Sequence, residues 1–207
     1  MRTPRRSAVD ESKARTALLD AAQELMLEKG YAAVSSRRVG AKAGMTPAMV
    51  HYYFGTMDGL FIELFRRGAE RSFERLALAL LSPQPLWGFW EVTHDQGNSA
   101  LTMEFIALAN HRKAIRSEIA GYSRRFRQTQ LDVLSRVLEG YGVDPEVWPP
   151  VTIILMMAGI SRFLLIEREF ELDTGHAEMI AVIERHIQEL EGDRVLLGPL
   201  TLPRRQN

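Results

Sequence analysis

Apolar residues recur at Ala14, Ala17, Leu18, Ala21, Ala22, Leu25 and Met26, one face of a helix at period 3.6. The pattern predicts a first helix over residues 10–29, with Asp10 or Ser12 as N-cap. Lys29 stands in its last turn and Gly30 at the left-handed position beyond it. Tyr31 is expected to fold back onto the core. Ser35 or Ser36 then caps a short helix to about Ala43, and Gly44 supplies a tight turn. Thr46 suits an N-cap and Pro47 the first helical position, where no N–H is required. The helix they open, residues 47–54, is barely two turns and unstable alone. Val50 and Phe54, spaced i,i+4, are its expected buried face.

Further on, Thr56 caps a long helix carried by Leu60, Phe61, Leu64, Phe65, Ala69, Phe73, Leu76, Ala77 and Leu80, which Ser82-Pro83-Gln84-Pro85 ends. A short Trp-rich segment covers residues 86–95. Gln96-Gly97-Asn98 reads as a turn, with Ser99 capping a helix over residues 100–111. A long helix follows over about 114–139, closed by Gly140-Tyr141-Gly142. Pro149-Pro150 opens a very apolar helix, 151–170, and Asp173 or Thr174 caps the last, 177–191, striped by Ile180, Ile183, Ile187 and Leu190. Strand alternation and internal repeats are both missing from the pattern. The fold class is all-α, and the two short segments around Gly44 read as a helix-turn-helix.

Charge sharpens this division. The chain of 207 residues has zero formal net charge. Yet residues 1–55 carry nine Lys/Arg against five Asp/Glu, and residues 56–207 carry 17 against 21. A basic N-terminal module on an acidic body is the asymmetry expected when only one part meets phosphates. Arg2, Arg5 and Arg6 lie in residues 1–9, a segment expected to be a disordered arm within reach of a DNA groove. The chain has no cysteine, which excludes disulfides, thiolate metal sites and a Cys nucleophile and suits a cytoplasmic location. No signal-peptide core stands at its start. The apolar run 151–166 is 16 residues long and contains Arg162; it reads as a buried helix too short for a bilayer, so no membrane partner is expected.

The block from about Arg15 to Phe65 resembles the TetR family of transcriptional regulators. The likeness rests on small and apolar residues in the first helix, Gly30-Tyr31, Ser35-Ser36, Ala41, Ala43-Gly44, Thr46-Pro47, Tyr52-Tyr53-Phe54 and Leu60. Beyond Ala69 it extends only to helix order and lengths. The resemblance implies an N-terminal three-helix DNA-binding domain (1–55), a larger helical ligand-binding and dimerisation domain (56–192) and a flexible tail (193–207). It also implies phosphate contacts from Ser36, Arg37, His51 and Tyr53, and base or groove contacts from Thr46, Pro47, Ala48 and Met49. His51 replaces the family's usual Tyr, and Met57 replaces a Lys that ordinarily grips a phosphate. The residues agree in part. Arg37 near a helix N-terminus suits phosphate, whereas Ala48 and Met49 suit thymine methyls or sugars. Residues 46–53 contain no Arg, Asn or Gln, so Arg37, Arg38, the N-terminal arm or DNA shape must supply specificity. Gly40, inside the second helix, is expected to cost about 1 kcal/mol against Ala.

The last two helices are expected to pair with those of a second copy, giving a homodimer on a palindromic operator. The middle helices are expected to hold a small, largely apolar ligand. Its candidate contacts are Trp87, Trp90, Met103, Phe105, Phe126, Met156, Arg162 and Phe163, adaptable and aromatic side chains suited to such a pocket. Arg162, in an apolar run, needs a partner: Glu104 or an acidic ligand. The leading function is a DNA-binding repressor released by its ligand, with no cofactor. One alternative is a ligand-independent DNA-binding activator or architectural protein. A remote one is a helical di-iron-type enzyme, prompted by Glu91-Val92-Thr93-His94; such a site needs a second Glu-x-x-His, which the chain lacks, and neither Gly-x-Ser-x-Gly nor His-Glu-x-x-His occurs.

Overall fold

A computed structural model describes the backbone of residues 4–94 and 96–195, and the side chains of 10–94 and 100–195. Among these residues the chain forms helices and no strand: α1 (Pro4–Lys29), α2 (Ser36–Lys42), α3 (Pro47–Phe54), α4 (Met57–Leu80), α5 (Pro85–Thr93), α6 (Gln96–His111), α7 (Lys113–Gly140), α8 (Pro150–Glu169) and α9 (His176–Glu191). A 3-10 turn at Tyr31–Ala33 joins α1 to α2.

Two helices begin several residues earlier than the pattern predicts. α1 starts at Pro4, so Asp10 and Ser12 are interior and cap nothing. Proline is tolerated in a first turn, and nothing after it breaks a helix. Arg5 and Arg6 therefore stand on helical backbone instead of in an arm, while Arg2 lies outside the described residues. α6 starts at Gln96, so the expected turn at 96–98 and the Ser99 cap are absent. One Gly in a first turn costs about 1 kcal/mol, which the buried face of Leu101, Phe105 and Leu108 offsets.

The chain divides into two compact units. The first comprises the residues up to Ala69 together with Ala100–Ser123. Its core joins Leu18, Ala22 and Met26 of α1, Val39 of α2, Val50 and Phe54 of α3, Leu60 and Leu64 of α4, and Phe105 and Leu108 of α6. Val50 and Phe54 are the buried pair their spacing predicts, and Tyr31 packs back against this core. The second unit comprises Glu70–Ser99 and the residues from Arg124 onward. α5 is its most buried element: Leu86, Trp87, Phe89 and Trp90 pack with Leu134, Leu138, Ile154, Met157 and Ile187.

The N-terminus of α5 is held by the end of α9. Glu191 accepts the backbone N–H groups of Leu86 (2.8 Å) and Trp87 (3.0 Å) and the Tyr141 hydroxyl (2.8 Å). Beyond it, the Asp193 carbonyl accepts from Gln84 Nε2 at 2.8 Å, and Val195 N–H donates to Gln84 Oε1 at 2.8 Å. Arg194 pairs with Glu91 and stands over the Trp87 ring. The first residues of the expected flexible tail are thus tied to α5, and residues 196–207 lie outside the described part. Burial, then Glu191, push the Tyr141 phenol up to about 12. A raised phenol favours its protonated form in the fold, so this contribution is complete below pH 10 and fades as pH rises toward about 12. Glu191→Ala strands two helix-end amides and a phenol, each with a desolvation cost, and is expected to lower stability by about 2–3 kcal/mol. Urea unfolding checks it; a midpoint equal to wild type would refute the role of this carboxylate.

α8 differs from expectation. It runs 20 residues with a mean hydropathy of 1.7, long and apolar enough by composition to cross a membrane, yet 28% of that window is buried within the chain. The apolar run 151–166 is only its centre. Ile154, Met157, Ser161 and Leu164 face inward. Val151, Leu155, Met156, Phe163 and Ile166 are exposed, as are Met179, Val182 and Leu190 of α9. Arg162 lies on the exposed side as well, so it needs no buried partner. Glu104 is committed elsewhere, to the backbone N–H of Tyr31 at 2.6 Å.

Candidate nucleic-acid interface

α2 and α3 pack at close quarters, and glycine sets the distance. A Cβ on Gly40 would lie 2.8 Å from the Met45 carbonyl oxygen and 3.1 Å from Pro47 N. The glycine that looked like a propensity fault is what lets the turn approach α2; its helix cost is offset by the contact. Gly44 takes φ +69 at the turn and Gly55 φ +70 after α3, both in the left-handed region. Ser35, not Ser36, caps α2, its Oγ accepting from Arg38 N–H at 3.4 Å. Thr46 is N-cap of α3 by position only, with no capping bond from its side chain. On the next helix Thr56 Oγ1 accepts from Gly59 N–H at 3.0 Å.

Several basic residues of this unit are used internally. Lys42 reaches Glu28 (3.0 Å) and Glu24 (3.1 Å) on α1, and the Glu28 bond, then the Glu24 bond, raise its pKa. Arg15 pairs with Glu63 and lies over the Phe54 ring. Arg67 pairs with Asp20. Two cations remain on the outer face at the start of α2. Arg38 only leans on the Ala33 carbonyl at 3.4 Å, and Arg37 is exposed with no ion pair among the described residues.

The predicted contact residues stand on α2, α3 and the turn that joins them. Arg37, Arg38, Thr46, Pro47, Ala48 and His51 are exposed, and Ser36, Met49 and Tyr53 are half-buried. His51 Nδ1 lies 3.3 Å from the Gly55 carbonyl oxygen. A carbonyl only accepts, so Nδ1 carries the proton and Nε2 is left for solvent or a ligand. Tyr52, to which the motif assigns no contact, is 71% exposed. Its ring stands edge-on to Tyr53, centroids 5.0 Å apart. The signal was available: Tyr52 lies i+4 from Ala48, on the same face. Met57 packs partly buried against the first core; a Lys there would exchange apolar packing for a charge.

The predicted ligand residues do not form one group. Met103 and Phe105 belong to the first unit, where Phe105 meets Phe65 edge-to-face at 5.3 Å. Trp87 and Trp90 are buried together in the second unit's core, and Phe126 packs there against Phe73 at 5.1 Å. Met156, Arg162 and Phe163 lie on the exposed side of α8. Around Trp90 the second unit has a polar cluster in apolar surroundings. His94 stacks on Trp90 with centroids 4.7 Å apart, its Nδ1 lies 3.4 Å from buried Ser161 Oγ, and Trp90 Nε1 donates to Glu184 at 3.4 Å. Burial, then Arg168, lower the His94 pKa, against Glu184. Glu91 and His94 are therefore engaged with Arg194 and Trp90, respectively. Among the described residues no three His, Cys, Asp or Glu gather as a metal site. A half-open cavity of about 520 Å³ lies by the loop from α7 to α8, lined by Leu138, Glu139, Val143, Pro145, Trp148 and Pro150 among others, and by none of the predicted ligand contacts.

Among the described residues the chain is helical and presents a helix-turn-helix on its N-terminal unit, the motif with which helical DNA-reading proteins place a recognition helix. The family follows from comparison. Residues 18–64 match the family described as bacterial regulatory proteins, tetR family, the resemblance that the motifs of this stretch imply. The chain is 38% identical over 52 residues to the HTH-type transcriptional regulator BetI of Rhizobium meliloti, a match spanning 25% of this chain and 26% of that relative's length. Over the whole chain the likeness is one of fold. A transcriptional regulator from Saccharomonospora viridis, solved in complex with choline, shares 19% identity at a TM-score of 0.68, covering 86% of this chain and 95% of its own. A TetR transcription regulator from Haloarcula marismortui shares 18% at 0.67, covering 87% and 97%.

Proposed function

We propose that the protein is a cytoplasmic DNA-binding transcriptional regulator, a repressor that binds a palindromic operator as a homodimer and leaves it when a small molecule binds. One observation carries the reading: Arg37, Arg38, Thr46, Ala48, His51 and Tyr52 are exposed on the two helices and the turn of the helix-turn-helix, while neighbouring cations are spent on internal pairs. In this reading residues 1–55 read DNA and residues 56–192 bind the ligand and dimerise. α3 enters the major groove. Ser36, Arg37, His51 and Tyr53 meet phosphates, joined by Tyr52, and Thr46, Pro47, Ala48 and Met49 meet bases or sugars. With so few polar readers on α3, Arg37 and Arg38 carry a large share of affinity. The exposed apolar side of α8 and α9 is the dimer seam. No catalytic role is proposed.

The ligand is small and largely apolar. Trp87, Trp90 and Phe126 offer it walls, with His94 and Ser161 as polar anchors. The choline complex of a protein with this fold supports a small-molecule ligand. Ligand acts by favouring a form whose recognition helices are wrongly spaced for successive grooves, a coupling free energy between two sites.

Selection of bound duplexes from a random DNA pool tests this reading; a symmetric enriched site supports it, and no enrichment refutes it. On the enriched duplex, Arg37→Ala is expected to weaken binding and to lower the slope of log affinity against log salt by about 1, the loss of one phosphate contact. An unchanged slope would remove Arg37 from the interface.

A further inference from the structure

The helix-turn-helix is held at one end by α6 and at the other by the residue that follows it. Its leading flank is Tyr31, just ahead of α2. Gly30 takes φ 76 and ψ 163 there, a conformation left to glycine, and this turns the Tyr31 N–H away from the end of α1. The Gly30 N–H still closes on Met26. The Tyr31 N–H donates to Glu104 Oε2 at 2.6 Å. The same oxygen lies 3.6 Å from where a Gly30 Cβ would stand, so the carboxylate sits directly on the turn.

The trailing flank is Asp58, in the first turn of α4 just after α3. It pairs with Arg112, the residue that joins α6 to α7, and the Arg112 guanidinium covers the Phe61 ring at 5.7 Å. The C-terminal end of α6 is itself fixed: Arg116 donates to the carbonyls of Ala109 and Asn110, each at 3.2 Å. Around the tethers, Leu101, Phe105 and Leu108 of α6 are buried in the same core as α1, α3 and α4. Apolar contacts of that kind are non-directional. The two charge-assisted bonds are directional, and they set where α6 stands against the two flanks.

We propose that Glu104 and Arg112 are positioning residues for DNA reading: through the Tyr31 amide and Asp58, respectively, they clamp both flanks of the helix-turn-helix. This rests on the DNA-binding function proposed above and goes further, in naming the points where α6 governs the pose of the reading face. Neither residue touches DNA. A shift or rotation of α6 that stretches either bond loosens the flank it holds.

The test uses the full-length chain and the duplex that wild type enriches from a random pool, at a temperature where circular dichroism shows every variant folded. Glu104→Ala and Arg112→Ala are each expected to weaken binding on the order of ten-fold, from one lost charge-assisted bond, with the salt slope unchanged because no phosphate contact is lost. Glu104→Gln keeps an acceptor oxygen and is expected to recover most of the affinity. The exchange D58R with R112D restores the pair in reverse and is expected to bind better than R112D alone. Binding equal to wild type in both alanine variants overturns the clamp, as does a fall in salt slope like that of Arg37→Ala, which would make the residue a phosphate contact. If wild type enriches no duplex, the functional reading fails and the clamp with it; if wild type binds and the variants match it, the clamp alone fails.

Discussion

Phe163→Glu is expected to leave the chain folded, to convert a dimer into monomers, and to weaken operator binding by about a hundred-fold or more. Phe163 is 57% exposed in the single chain, so its replacement removes little packing there, within about 0.5 kcal/mol. In a seam formed by α8 and α9 of two copies, the same position would bury a carboxylate without a partner, which costs several kcal/mol. Leu155, 51% exposed one face-repeat earlier on α8, belongs to the same apolar surface, and Leu155→Glu is expected to behave alike. The loss at DNA exceeds the local energy because two linked reading units gain avidity of about 10²–10⁴ over one. Sedimentation reads the oligomeric state and fluorescence anisotropy the affinity. A variant that stays dimeric refutes the seam. A wild-type chain that is monomeric at micromolar concentration refutes the dimer.

The second large effect runs against helix propensity. By propensity alone, Gly→Ala inside a helix gains up to about 1 kcal/mol. At Gly40 the new Cβ would stand 2.8 Å from the Met45 carbonyl oxygen, and at Gly59 2.1 Å from that of Phe54. Both obstacles are backbone, which cannot rotate away, so α2 must leave the turn or α4 must leave α3. Gly40→Ala and Gly59→Ala are expected to destabilise by about 1–3 kcal/mol or more, Gly59 the worse. At about 2–4 °C per kcal/mol for a chain of this size, melting temperatures report it. Both variants should also lose DNA affinity, since each moves an edge of the reading face. Gly121, on α7, has no atom within 4 Å of its would-be Cβ, so Gly121→Ala is the control and should melt at or above wild type. If Gly40→Ala also melts higher, the close α2–α3 approach is not required.

Much of the fold was legible because it is periodic. The apolar spacing of α1, the Val50–Phe54 pair and the Thr46-Pro47 start of α3 are local signals, and local backbone and packing physics reads them directly. The tetR-family match over residues 18–64 coincides with the stretch where these signals are densest. Where local preference was weak, the reading failed. Nothing in residues 4–9 or 96–99 demands a turn, so α1 and α6 run through them. Arg162 looked buried because its neighbours in sequence are apolar, but it lies on the side of α8 that this chain leaves open.

The sequence by itself determined the helical class, the order and approximate lengths of the helices, the helix-turn-helix and the residues that face outward from it. These follow from periodicity, caps and turn chemistry, which act over a few residues. Only the tertiary structure decided which charges are spent, since Lys42, Arg15 and Glu104 find partners 14 to 73 residues away. It also decided which glycine is a fault and which a requirement. Gly40 is judged by the distance to a carbonyl five residues on, and its neighbours in helix period carry no trace of that distance. The helix-turn-helix motif could be read from its own residues; what holds it at each end, Glu104 of α6 and Arg112 just after that helix, is contributed from far along the chain, where no local pattern marks them.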